Sequence, residues 1–104
     1  MQTFDKNIEL PEPWYWTNQN LSGQLEKEIS KNHVLFDKNV ETLARRQDND
    51  DVLFLVEENT FAVVHLTWGN NSHNDGHFPI SEQYDTWEDL YENRILKDNE
   101  EFEL

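Results

Sequence analysis

Two histidines, two adjacent arginines and a run of aspartates are the residues here whose chemistry could go beyond packing. His65 lies in a strand-like stretch of Val and Leu, and His33 follows an expected helix. As an acid/base pair they could act on RNA or nucleotides without a metal, with Arg45 or Arg46 holding a phosphate. Such a site needs a basic cleft, and the chain sets only 8 Lys and Arg against 22 Asp and Glu. The simpler expectation makes His65 a core histidine bonded to backbone or a carboxylate. His33 would then cap the last carbonyls of the preceding helix.

Arg45 and Arg46 alternate across a strand, so at least one points toward the packed side of the sheet. A lone buried charge is too costly to persist. The expected partner is Asp50, Asp51 or a residue of the last helix, which makes Arg45, Arg46 and His65 a structural polar core. The competing reading gives Asp48, Asp50 and Asp51 to an exposed acidic tip that meets Lys, Arg or His on a partner. A calcium loop does not fit, because Val52 takes the next ligand position and no Gly follows. His73 and His77, with Asp75 between them, would suit a metal only on a helix, and Gly76 with its Asn and Ser neighbours indicates a loop. No metal and no cofactor is expected.

The elements that must position these groups follow from pattern. Residues 1–16 read as an irregular arm stiffened by Pro11 and Pro13. Trp14-Tyr15-Trp16 then packs as a lid, or leaves Trp14 or Trp16 exposed as an anchor for a partner. Leu21, Leu25 and Ile29 predict a helix from Leu21 to Lys31, capped by Asn20 or Ser22. Strands are expected at Val40–Arg46, Val52–Val56, Phe61–Trp68 and Ile80–Tyr84, with Asn59 taking a positive φ in the hairpin between the second and third. Residues 69–76 are turn chemistry. A last helix begins near Thr86, where Thr86 and Asp89 resemble a capping box. Its stripe is Trp87, Leu90, Tyr91 and Ile95, with Glu88, Asp89 and Glu92 toward water. Residues 98–104 read as a frayed acidic tail. The expectation is a single α+β domain over 1–104, with a three- or four-stranded antiparallel sheet packed against two helices.

The net charge of −14 on 104 residues bears most directly on function. Such a surface repels nucleic acid and anionic membranes and attracts proteins built to bind phosphate. A basic protein partner is therefore expected, with neither nucleic acid nor membrane bound. The chain has no Cys, which excludes disulfides, a thiolate nucleophile and Cys-based zinc. Four Trp, six Phe and three Tyr supply a core. No apolar run approaches the roughly 20 residues of a membrane span. The start, Met1-Gln2-Thr3-Phe4-Asp5, lacks the basic and apolar regions of a signal peptide, so a cytoplasmic location is expected.

Leu43-Ala44-Arg45-Arg46, the Asp48 to Phe54 turn and strand, and Ala62-Val63-Val64-His65-Leu66-Thr67-Trp68 resemble a family of short uncharacterised bacterial proteins. That family has an Arg-Arg, an Asp-rich turn and a Val-His-Leu-Thr-Trp strand in this order, and Pro79, Trp87 and Glu88 fit its C-terminal region. The resemblance spans the middle and end of the chain and implies no activity. In size, charge and lack of a catalytic signature the chain also resembles the immunity proteins paired with contact-dependent or polymorphic toxins. That likeness implies an antitoxin that neutralises a cationic nuclease by covering its active site. Its contacts would be Asp48, Asp50, Asp51, Glu88, Asp89, Glu92 and an aromatic anchor from Trp14 or Trp16. An acidic mimic of nucleic acid and a small enzyme using His33 and His65 are the alternatives.

Overall fold

Apolar runs such as Val52–Val56 can be buried along their whole length only where both faces of a sheet are covered. The computed structural model, which describes residues 4, 6–69 and 79–103, shows that arrangement. Five antiparallel strands follow one another in chain order: β1 (Trp14–Trp16), β2 (Val40–Arg46), β3 (Asp51–Val56), β4 (Thr60–His65) and β5 (Ser81–Tyr84). Helix α1 (Ser22–Glu28) lies on one face. On the other lies a C-terminal helix made of α2 (Trp87–Leu90), a wide π turn (Tyr91–Ile95) and α3 (Leu96–Phe102).

Alternation divides the strands between two cores. Val52, Phe54 and Val56 of β3, with Ala62 and Val64 of β4, pack under Leu21, Leu25 and Ile29. Leu53, Phe61 and Val63 face the other way, against Trp14, Leu90 and Ile95. A register shift between Thr42 and Ala44 lets two sequence neighbours, Leu43 and Ala44, join this second core. Thr42 also reaches α1, where its Oγ1 accepts from Leu21 N at 2.9 Å.

The α+β class, the antiparallel meander and the two helices match expectation, but the sheet has five strands rather than three or four. The added strand is β1, from the segment read as irregular. Its signature was the triplet itself: Trp14 buried, Tyr15 exposed and Trp16 half-buried is a strand alternation, obscured by the two prolines before it. The acidic tail is also corrected. α3 continues to Phe102, and Asp98 is buried. α1 stops at Glu28, because Ile29 turns extended at ψ 143°. At the hairpin, Glu57 and Glu58 take positive φ, 52° and 57°. Thr86 caps as expected, its Oγ1 accepting from Asp89 N at 3.0 Å. His73, Asp75 and His77 lie outside the described residues. No described helix is long and apolar enough to cross a membrane.

Candidate functional site

The end of the sheet beneath the C-terminal helix holds a network of alternating charges. Arg46 leaves β2 toward this side and grips Asp48 with both Nε (2.8 Å) and Nη2 (2.7 Å). Its Nη1 lies 3.2 Å from Asp98 and 3.9 Å from Asp51. Arg94 enters from the helix, donating to Asp98 (2.9 Å), to Glu82 (2.9 Å) and to Asp51. Asp51 and Asp98 are each only 6% exposed, so neither can lose its cations cheaply. Burial opposes the charge on both arginines. For Arg94 the hydrogen bond to Asp98 and the charges of Asp98, Asp51 and Glu82 outweigh it, and for Arg46 those of Asp48, Asp98 and Asp51 do, so each guanidinium holds its proton beyond the ordinary range. Asp48, gripped by Arg46, is held below the usual carboxylate range.

His65 joins this network through Nδ1, 2.8 Å from Asp51 Oδ1. The expected carboxylate partner is present, but the side chain is 51% exposed rather than part of the core. His33 is buried and its ring is used on both sides. Nδ1 accepts from Leu35 N at 3.0 Å, so Nε2 carries the proton it shares with Pro79 O at 2.9 Å. His33 thus ties the segment after α1 to Pro79 instead of capping the helix. Among the described residues the two histidines share no hydrogen-bond partner, and both arginines around Asp51 are already matched by carboxylates.

A third buried carboxylate, on α1, was not expected from the sequence. Glu28 is 0% exposed and accepts from Thr67 N and Oγ1, both at 2.7 Å, from Trp68 N at 3.0 Å and from Gln24 Nε2 at 2.7 Å. Burial alone would raise its pKa, but the hydrogen bonds from Gln24, Thr67 and Trp68 outweigh that and hold it below the ordinary value. Spacing carried the signal. Leu21, Leu25 and Glu28 fall on one helical face, and Asp98 falls four residues after Arg94 on the buried side of its own helix.

Of the acidic turn, Asp51 is buried, Asp50 is half-buried, and Asp48 is exposed but clamped by Arg46. The tip of the turn, Gln47 to Asn49, is exposed as expected, while Asp51 at its end belongs to the framework. Trp14 is 2% exposed, and Trp16 is half-buried, its Nε1 donating to Ile8 O at 2.7 Å and its ring stacked on Trp87 at 5.9 Å. Both are absorbed by the core, and Tyr15 is the exposed ring of the triplet. Glu88, Asp89 and Glu92 are exposed as expected. They belong to a longer acidic surface: residues 82–103 carry nine carboxylates against Arg94 and Lys97, and of the nine only Asp98 is buried. Among the described residues, no group of three or more His, Asp or Glu is placed to hold a metal ion.

No family model, curated protein or solved structure matches the chain.

Proposed function

We propose that the protein is an immunity-type inhibitor, which binds a cognate cationic nuclease toxin and covers its active site. The observation that carries the basic partner is the C-terminal surface, where eight exposed carboxylates of residues 82–103 are accompanied by one exposed cation, Lys97. The toxin class follows from the likeness in size and charge to immunity proteins. An acidic face steers a basic partner and raises the association rate, while close apolar contact sets the off-rate. The buried charges are engaged in holding the fold, which favours a binding role over catalysis.

The experiment is co-expression with candidate basic nucleases, followed by association kinetics over a range of salt. The Glu88→Lys/Asp89→Lys/Glu92→Lys variant should associate about tenfold or more slowly at low salt and show a flatter salt dependence. An unchanged rate and slope would remove this helix from the interface. The row of carboxylates along one helix also fits a nucleic-acid mimic. In that case DNA or RNA should compete with the chain for the same partner.

A further inference from the structure

Tyr15, Arg45 and Trp68 come from three separate stretches of chain and meet on the face opposite the C-terminal helix. Tyr15 and Arg45 are register partners on β1 and β2, so their side chains leave the sheet on one side. That side belongs to α1, because Arg45 also pairs with Val52 of the core beneath α1. The Arg45 guanidinium lies over the Trp68 ring, 5.2 Å from its centroid. Both rings remain open, Tyr15 at 44% and Trp68 at 40% exposure.

Arg45 is under-used. Its Nη1 donates to Gln19 Oε1 at 2.9 Å, but its Nε is buried without an acceptor. Among the described residues no carboxylate lies within ion-pairing distance of it, although its neighbour Arg46 grips Asp48 through Nε and Nη2. A buried donor left without an acceptor costs about 1–3 kcal/mol. Trp68 is held in place at comparable expense. Its φ of 62° is unfavourable for a bulky residue, and the buried carboxylate of Glu28 fixes it by accepting the Trp68 N–H. Ring and guanidinium are thus set before any partner arrives, which lowers the entropy lost on binding. Tyr, Arg and Trp are also the side chains that dominate interface hot spots.

We infer that Tyr15, Arg45 and Trp68 form a docking site for a partner-protein segment that presents one carboxylate beside apolar side chains. The carboxylate meets the outer edge of the Arg45 guanidinium, and the apolar groups lie on the two rings. Nucleic acid is a poor occupant, since a net charge of −14 repels a polyanion, and a second copy of the chain is repelled equally. A single carboxylate on a neutral or basic partner meets no such barrier. The site uses none of the carboxylates of residues 82–103, so it stands or falls separately from the inhibitor reading.

The test is selection of displayed short random peptides on the full chain, held by a C-terminal biotin, with Arg45→Met as counter-selection. Enriched peptides should share an Asp or Glu flanked by apolar residues. They should bind Arg45→Met, Arg45→Lys and Trp68→Ala about tenfold or more weakly, as truncation of a hot spot predicts. Arg45→Lys keeps the charge and loses only the planar fork, which guards against a misfolded Met variant. Binding to the Glu88→Lys/Asp89→Lys/Glu92→Lys chain should persist. Peptides enriched without a carboxylate, or no enrichment beyond Arg45→Met, would overturn the site.

Discussion

Trp14 Nε1 donates to Asp98 Oδ2 at 2.8 Å, across 84 positions of sequence. The same carboxylate receives Arg94 Nε at 2.9 Å and lies 3.2 Å from Arg46 Nη1, so it joins β1, β2 and α3 at one point. Asn99 strengthens the seam by donating to Glu12 O at 2.7 Å.

Removing this carboxylate leaves two guanidiniums short of a counter-charge where exposure is slight. Asp98→Ala should therefore destabilise the fold by roughly 3–5 kcal/mol, the range for one partner taken from a buried pair. Trp14→Phe removes one hydrogen bond to a charge, about 1.5–3 kcal/mol, and adds the cost of the space the smaller ring leaves in the core. Urea unfolding followed by tryptophan fluorescence measures both, and a cost for Asp98→Ala below about 1 kcal/mol would refute the shared-hub account.

Glu28 predicts how stability depends on acid. Its folded pKa lies below the ordinary value of 4.5, so the unfolded chain binds this proton more tightly. Its contribution is complete above that value and is lost as pH falls through the lower, folded one. Glu28→Gln should lower stability at pH 7 by roughly 1–3 kcal/mol, because the amide nitrogen meets donors where an acceptor stood. It should also lose stability less steeply than the parent chain between neutral pH and the acid range. Parallel pH profiles for the two chains would show that the carboxylate does not titrate as described.

The hairpin after β3 carries removable strain. Glu57 and Glu58 both sit at positive φ, which costs an L-residue with a side chain roughly 1–2 kcal/mol. Asn-Gly is the pair such turns favour. Glu57→Asn with Glu58→Gly should raise the melting temperature by several degrees, on the order of 4–8 °C per kcal/mol for a chain of this size. Calorimetry decides it, and an unchanged or lower melting temperature would count against strain at this turn.

The two histidines should respond unequally to substitution. His33→Ala leaves Leu35 N and Pro79 O without their partners in a buried place, at about 1–3 kcal/mol. His65→Ala removes a half-exposed ring from Asp51, which keeps Arg94, so the loss should be below about 1 kcal/mol. Chemical denaturation ranks them, and the reverse order would mean that His65 holds the network together.

How far the sequence could be read depended on whether an interaction was local. The strands from Val40 to Val56 announced themselves through apolar runs and alternation, and β4 through its β-branched residues. The partner of Arg46 was legible as a carboxylate of the turn or the last helix, because a buried cation demands one. The burial of Glu28 and Asp98 showed only in helical spacing, since a charged residue among charged neighbours otherwise reads as solvated until something distant claims it. Thr67 and Trp68 claim Glu28 across the sheet, and Trp14 claims Asp98 from the opposite end of the chain. The surface of Tyr15, Arg45 and Trp68 was hidden for the same reason, because only strand register brings the first two side by side.

The order of the sheet also dictates an order of events. Every strand pairs with its neighbour in sequence, so the hairpins of β2, β3 and β4 can zip up through short loops. The Trp14–Asp98 seam must instead close a separation of 84 positions, an entropy cost of about 4 kcal/mol before any contact repays it. The seam should accordingly form last and open first. The amides of β1 would then exchange with solvent faster than those of β3, and the first strand would act as a clasp on a sheet already built.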